Sequence, residues 1–216
     1  MEIAVVLYEG FTALDAVGPY EVLSRIPGAQ LDFVAAQAGP LRTDSGMLTM
    51  HVERSLGECE RPDVVLVPGG VGEAHARATP ELLQWLCEVH ETTRFTSSVC
   101  TGSLILAAAG LLAGRRATTH WLAYEELRRL GALPVAQRYV FDGRLVSAGG
   151  VSAGIDMSLA LAAELAGEQV AKAIQLGIEY DPRPPFQSGS PQQAPEELVE
   201  LLRGRSRFEQ GTGAAA

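Results

Sequence analysis

The chain has 216 residues, of which 47% are hydrophobic and 20% are charged, and its formal net charge is -9. That length suits one α/β domain with a sizeable core. The acidic charge disfavours binding to nucleic-acid phosphates and to anionic membrane surfaces. No apolar run reaches the roughly 18 residues of a membrane span, so we expect neither nucleic acid nor a membrane among the partners.

The cysteine pattern indicates a reducing compartment. Cys59, Cys87 and Cys100 are widely spaced, odd in number and form no CxxC pair. The N-terminal stretch MEIAVVLYEG is typical of a strand and lacks the basic region and cleavage site of a signal peptide. We therefore predict a cytoplasmic protein with free thiols.

Short apolar runs alternate with helical patterns along the chain. Strands are predicted at residues 3–7, 31–36, 63–67, 95–99 and 117–119, a hairpin or edge strand at 42–52, and a hairpin over 138–147. Helices are predicted at residues 14–23, 80–92, 103–112, 120–130, 154–165, 169–176 and 196–202. This order predicts an α/β fold with a mostly parallel sheet and helices on both faces.

The domain organisation is simple. Residues 1–190 carry the alternating pattern and are predicted to form one α/β domain, because no repeat or second domain is visible. Residues 191–210 are predicted to be a C-terminal extension. The low-complexity stretch 211–216 is predicted to be a disordered tail.

A buried strand that runs straight into Cys100-Thr101-Gly102 is the central chemical feature. This order resembles a nucleophile elbow, in which a sharp strand-to-helix turn lifts the nucleophile above the sheet. The adjacent helix N-terminus favours a thiolate, and the Thr101 and Gly102 amides are placed to bind developing negative charge. The alternative is that Cys100 is a small buried hydrophobic residue.

Three loops are expected to meet Cys100 at the carboxyl ends of the strands, namely residues 10–15, 68–71 and 148–151. Gly70, Val71 and Val151 are the predicted substrate- or oxyanion-binding residues in them. Asp15 lies within reach of the sulfur, so the pair is expected to share a proton and Asp15 becomes a candidate general acid/base. Its alternative role is that of an acidic residue at a helix start.

Other chemistry is weakly signalled. His120 is either a partner of Cys100 or a packing residue, whereas His51, His75 and His90 have polar neighbours and are predicted at the surface. No pair of His or Cys has metal-ligand spacing. The glycine-rich turns match neither a phosphate loop nor a dinucleotide fingerprint, so we expect no metal and no organic cofactor.

These motifs together resemble the ThiJ/PfpI superfamily over nearly the whole chain. The resemblance is carried by GFTALD at 10–15, VPGG at 67–70, VCTG at 99–102 and ATTHW at 117–121. It implies a flavodoxin-like three-layer sandwich with a mostly parallel central sheet, related to class I glutamine amidotransferases. The last motif also resembles AraC-type regulators, which carry a helix-turn-helix region that is not found in this sequence.

Within the superfamily the chain is most similar to the isonitrile (isocyanide) hydratases, through Asp15, Cys100, Thr101 and the Pro-rich stretch 177–191. Thr101 replaces the His that follows the nucleophile in protease-like members, and Asp15 replaces the Glu of deglycase-like members. The resemblance implies hydration of an isonitrile to an N-substituted formamide. Cys100 would form a thioimidate, Asp15 would act as general acid/base, and the Thr101 and Gly70 amides would bind charge.

Two alternatives stay open at this stage. One is a ligand- or redox-sensing module without turnover, in which the Cys100 thiolate is oxidised. The other is a related Cys-dependent hydrolase or a glyoxalase-type enzyme acting on carbonyls. The resemblance also implies a homodimer, and the pocket walls are expected near Tyr20, Val71, Trp121 and Val151.

Overall fold

A computed structural model describes residues 1–208 of the chain. The tail predicted at residues 211–216 lies outside the described residues, as do the last two residues of the predicted extension 191–210. None of the helices within residues 1–208 combines the length and apolar character that crossing a membrane requires.

One seven-stranded sheet organises the chain. Its strands are β1 (Glu2–Val6), β2 (Gln30–Ala35), β5 (Arg54–Ser55), β6 (Val64–Val67), β7 (Phe95–Val99), β10 (Tyr139–Asp142) and β11 (Leu145–Ala148). Their order in the sheet is β10-β11-β7-β6-β1-β2-β5, and every pair is parallel except β10 with β11. Two small two-stranded sheets join β3 (Gly39–Arg42) to β4 (Thr49–Val52) and β8 (Arg116–Ala117) to β9 (Leu133–Pro134).

Helices cover both faces of the central sheet. They are α1 (Ala13–Leu23), α2 (Glu73–Ala76), α3 (Pro80–His90), α4 (Gly102–Ala108), α5 (Tyr124–Arg129), α6 (Ala153–Ala166), α7 (Glu168–Gly177) and α8 (Glu196–Gly204), with 3-10 turns at Leu56–Glu58 and Trp121–Ala123. Successive residues of β1 supply different cores, because side chains alternate across a strand. Ile3 and Val5 pack with α1, α6 and α7, whereas Ala4 and Val6 pack with α3, α4 and α5. The predicted flavodoxin-like three-layer sandwich is confirmed.

Several predicted boundaries are wrong. The helix predicted at 103–112 ends at Ala108, where Gly110 with φ 80 follows in a turn. The helix predicted at 120–130 is a 3-10 turn followed by the short α5. Neither β5 nor α2 is predicted from the sequence, because two- and four-residue elements carry no periodic signal.

The C-terminal segment folds back over the carboxyl end of the sheet. Residues 189–192 line a cavity there, and Val199 of α8 is buried. The Arg203 guanidinium lies 6.0 Å from the centre of the Trp121 ring. The end of the Pro-rich stretch and α8 therefore contact their own chain.

Candidate active site

Cys100 lies on a sharp turn between β7, which ends at Val99, and α4, which begins at Gly102. Its φ of 57° is in the left-handed region that non-glycine residues seldom adopt. The turn is held by Cys100 N–H, which donates to Ala148 O at 3.0 Å, and by the Thr119 hydroxyl, which donates to Cys100 O at 3.0 Å. This is the elbow geometry that the sequence predicts.

Gly102 lets α4 begin directly against the neighbouring strand. A Cβ at this position would lie 2.1 Å from Val67 O, so no other residue fits without moving the backbone. The sequence predicts that Gly102 binds charge through its amide. The structure shows a separate packing reason for glycine at this position. The glycine two residues after Cys100 is therefore explained by the close approach of α4 to the strand.

The Asp15 carboxyl is fully buried beside the elbow. It sits in the first turn of α1, and its Oδ2 accepts a hydrogen bond from Gly69 N–H at 3.0 Å. Its Oδ1 has no hydrogen-bond partner among residues 1–208. A buried carboxylate oxygen without a hydrogen-bond donor costs free energy, and this cost favours the protonated form of the carboxyl.

Asp15 and Cys100 perturb each other's titration. Burial, first of all, raises the pKa of Asp15 from 3.8 to about 7, while the Gly69 amide acts to lower it. Burial and then the charge of Asp15 raise the pKa of the Cys100 thiol well above its usual range. Two acidic groups in a dry site cannot both ionise, so the pair holds at least one proton at neutral pH.

The expected Cys100 thiolate is therefore a wrong prediction for the resting site. The backbone amides of Thr101 and Val151 act to lower the pKa of the Cys100 thiol, but burial and Asp15 outweigh them. The helix that supplies the favourable dipole, α4, has only seven residues. Cys100 is 6% exposed, so water provides little solvation for a sulfur anion.

The loop after β6 binds Asp15 and Thr101, the two residues that flank the Cys100 sulfur. Gly69 N–H binds Asp15, and Gly70 N–H donates to the Thr101 hydroxyl at 3.1 Å. The sequence predicts that the Gly70 amide binds substrate charge. In the structure this amide has a different partner, because it donates to the Thr101 hydroxyl. Val71 is 61% exposed and does not line the neighbouring cavity.

Gly70→Ala is expected to destabilise the fold. Gly70 has a φ of 143°, and a Cβ there would lie 2.3 Å from Gly10 O. Gly28→Ala is the matched control, since Gly28 has a φ of 75° and nothing within 4 Å of its Cβ position. Chemical denaturation should show that Gly70→Ala lowers the free energy of unfolding by about 1–3 kcal/mol more than Gly28→Ala does. Equal losses would contradict the close packing of this loop.

A cavity of about 440 Å³ opens beside the elbow. Its walls come from within residues 119–124, 136–138, 149–153 and 189–192, together with Leu14. Thr119, whose hydroxyl donates to Cys100 O, and Val151 line the cavity, so one of its walls contacts the elbow, whereas Cys100 and Asp15 are not themselves lining residues. Trp121 is a wall residue as expected, whereas Tyr20 packs on Phe33 with ring centres 5.6 Å apart and is not in the wall.

The four histidines have different surroundings. His120 lines the cavity, accepts from Leu122 N–H through Nδ1 at 3.4 Å, and has a pKa lowered by burial, so it is neutral. His90 is half-buried and bonds the Thr96 hydroxyl at 2.8 Å, which corrects its predicted surface position. His51 and His75 are exposed as predicted.

No group of three or more His, Cys, Asp or Glu side chains within residues 1–208 is arranged to hold a metal ion. The three cysteines are free thiols, and Cys59 and Cys100 are buried. Beside the elbow, Cys100 supplies a thiol, Asp15 a carboxyl group and Gly69 a backbone amide.

Comparisons with known proteins agree with this geometry. The chain is 42% identical to the isonitrile hydratase of Pseudomonas putida over 206 residues, which covers 95% of this chain and 90% of that protein. It is 32% identical to the HTH-type transcriptional regulator CdhR of Pseudomonas aeruginosa, covering 81% of this chain and 53% of the regulator.

Solved structures give the same result. The crystal structure of a ThiJ/PfpI family protein from Pseudomonas syringae superposes with a TM-score of 0.93 at 36% identity, and the match covers 97% of this chain and 87% of that chain. The sequence profile of the DJ-1/PfpI family matches residues 1–164, which include the elbow and the Asp15 helix. The chain belongs to the DJ-1/PfpI family.

Proposed function

We propose that this protein is an isonitrile hydratase, which adds water to an isonitrile and releases an N-substituted formamide. The observation that carries the proposal is the buried, proton-holding pair of Asp15 and Cys100. Thr119, whose hydroxyl binds Cys100 O, lines the neighbouring cavity. The full-length similarity to the Pseudomonas putida enzyme supports it. The site needs no metal or organic cofactor for this reaction.

The first step is addition of the thiol across the isonitrile carbon. As the Cys100 sulfur bonds to the terminal carbon of R–N≡C, the Asp15 carboxylate takes the thiol proton and delivers it to the same carbon. The product is a thioimidate, R–N=CH–S–Cys100, and no atom is lost. The raised pKa of Cys100 is compatible with this step, because the sulfur is deprotonated only as the bond forms.

The second step is hydrolysis of the thioimidate. Asp15, again as carboxylate, takes a proton from water while the water oxygen bonds to the carbon, and it passes that proton to the nitrogen. The proton left on the new hydroxyl group is the one that Cys100 receives when the adduct collapses. Collapse of this adduct breaks the carbon–sulfur bond, returns a proton to Cys100 and releases R–NH–CHO. The Thr101 and Val151 amides, which act to lower the pKa of the Cys100 thiol, stabilise the sulfur as it departs.

The cavity suits an uncharged substrate. Its volume of about 440 Å³ lies in the range of small-molecule sites. His120 is neutral, and the Arg138 guanidinium at the rim is paired with Asp156. Trp121 and Leu14 offer apolar surface for the R group of an isonitrile.

Turnover tests the proposal directly. Purified protein incubated with an aryl isonitrile is expected to form one formamide for each isonitrile consumed, and isotopically labelled water should place its oxygen in the formyl group. Heat-denatured protein is the control. Consumption of the isonitrile without labelled formamide would reject the hydratase.

The pH profile is expected to report Asp15. Since Asp15 acts as a carboxylate and its pKa is about 7, kcat/KM should rise with pH and level off above that value. It should fall again only at strongly alkaline pH, where the Cys100 thiol ionises. A profile that is flat between about pH 5 and pH 9 would contradict the role of Asp15 as the base.

The other candidate functions have less support. A redox sensor needs an accessible thiolate, whereas Cys100 is 6% exposed and its pKa is raised. A carbonyl-directed enzyme of glyoxalase type would use the same thiol. Assaying glyoxal-type carbonyls beside the isonitrile distinguishes the two reactions.

We also propose a cytoplasmic homodimer. Three free thiols support a reducing compartment. Met47 and Leu48 at the tip of the β3–β4 hairpin are 89% and 46% exposed, which supports an apolar contact with a second copy. Light scattering should give twice the chain mass, and a monomer would reject the dimer.

A further inference from the structure

The last described residues of the C-terminal segment contact the loop after β6. The Arg207 guanidinium donates to Val71 O at 2.6 Å and to Gly70 O at 3.2 Å, and it pairs with the Glu73 carboxylate at 2.8 Å. Its planar face stacks 4.8 Å from the centre of the Phe208 ring. Phe208 in turn packs against the core that contains α4.

The peptides that Arg207 holds belong to the loop that positions the reacting groups. Gly69 N–H binds Asp15 and Gly70 N–H binds the Thr101 hydroxyl, and the next two carbonyls along the chain are those bound by Arg207. The peptide between Val71 and Gly72 is fixed at both ends, because Gly72 N–H donates to Gly10 O at 3.1 Å. Movement of these peptides would therefore reach both Asp15 and Thr101.

Arg207 also compensates a buried charge beside the loop. Glu73 is 1% exposed, and burial raises its pKa while Arg77 and Arg207 lower it. Arg77 is shared with Glu126 of α5. Without Arg207, the Glu73 carboxylate would pair only with Arg77, which also binds Glu126. A buried carboxylate with too little compensating charge favours displacement of the loop that carries it.

We propose that Arg207 is a positioning residue of the active site, which acts through the loop at residues 69–73 to hold Asp15 and Thr101 against Cys100. The inference rests on the proposed function for its activity readout only. It makes the C-terminal segment part of the site, although Arg207 is 107 positions from Cys100 in the sequence and touches neither reacting group.

Arg207→Gln is the test, with Arg205→Gln as the matched control. Both variants remove one cation, and Arg205 is exposed two residues away. We expect Arg207→Gln to lower kcat by about 10- to 100-fold with KM changed little, since misplaced groups slow chemistry more than binding. Arg207→Lys should recover part of kcat, because one ammonium group can bind part of the same set of acceptors. Parental kcat in Arg207→Gln, or an equal loss in Arg205→Gln, would overturn the proposal.

Alkylation of Cys100 by iodoacetamide gives a readout that needs no isonitrile. Loosening of the loop should expose the sulfur, so peptide mass spectrometry should show Cys100 modified roughly fivefold faster in Arg207→Gln than in the parent or in Arg205→Gln. If the parent hydrates no isonitrile but Cys100 is still alkylated faster in Arg207→Gln than in the parent, the proposed function is refuted and the positioning role is supported. Unchanged alkylation would overturn that role whatever the hydration assay gives.

Discussion

Asp15→Asn is expected to lose activity and gain stability at the same time. In the proposed mechanism the carboxyl carries protons between the thiol, the substrate carbon and water, so its removal should lower kcat/KM by about 10²- to 10⁴-fold. Asn keeps an oxygen that can accept the Gly69 amide hydrogen bond, and the local geometry is therefore retained. Hydration kinetics of the two proteins measure the loss.

The gain in stability follows from the raised pKa of Asp15. Between its ordinary 3.8 and about 7, the folded protein keeps a proton that the unfolded chain releases. This carboxyl therefore makes the free energy of unfolding fall as pH rises through that window. A shift of this size corresponds to at most about 4 kcal/mol at pH 8, and to little at pH 4.

Denaturant unfolding at the two pH values tests this sign. Relative to the parent, Asp15→Asn should be more stable near pH 8 than near pH 4, by roughly 2–4 kcal/mol. Asp181→Asn is the control, because Asp181 is an exposed carboxylate that pairs with Arg183 away from Asp15. If the difference in the free energy of unfolding between Asp15→Asn and the parent did not change with pH, the raised pKa of Asp15 in the folded protein would be contradicted.

Cys100→Ala is expected to abolish hydration. Without the sulfur no thioimidate forms, and the loss in kcat should be at least about 10⁴-fold. Cys100→Ser should lose nearly as much, because a hydroxyl is harder to deprotonate in a site that already raises the pKa of the thiol. Both assays use the aryl isonitrile.

Cys87→Ala is the matched control for the loss of a thiol. Cys87 lies half-buried on α3, and its sulfhydryl donates to Ala109 O at 3.2 Å. Its removal should leave kcat within about twofold of the parent. Retention of more than about a tenth of parental activity in Cys100→Ala would refute covalent catalysis.

The elbow and the sheet are predictable because their signals are local. The apolar run that ends at Val99, followed by Cys100 and Gly102, predicts both the strand-to-helix turn and the position of the sulfur. The glycines of the loop after β6 predict close backbone approach, which the Cβ clashes at Gly69 and Gly70 explain. The alternation of strands with helices along the chain predicts a sheet with helices on both faces.

The electrostatics of the site are not predictable in the same way. The sequence favours a Cys100 thiolate because a helix begins beside it, but the sign of the pKa shift depends on how deeply the packed loops bury the pair. The contacts of Arg207 are equally hidden, since they join residues more than 130 positions apart. Long-range contacts leave no periodic pattern in a single sequence.

A single-turnover experiment tests the covalent bond between Cys100 and the isonitrile carbon most directly. The proposed thioimidate would form on Cys100, a residue that is 6% exposed, so we expect water to reach it slowly and the thioimidate to accumulate. After acid quenching, we predict that the Cys100 peptide gains the full mass of the isonitrile before formamide appears, while the Cys59 and Cys87 peptides stay unchanged. Formation of formamide with all three cysteine peptides unmodified throughout the turnover would contradict the mechanism.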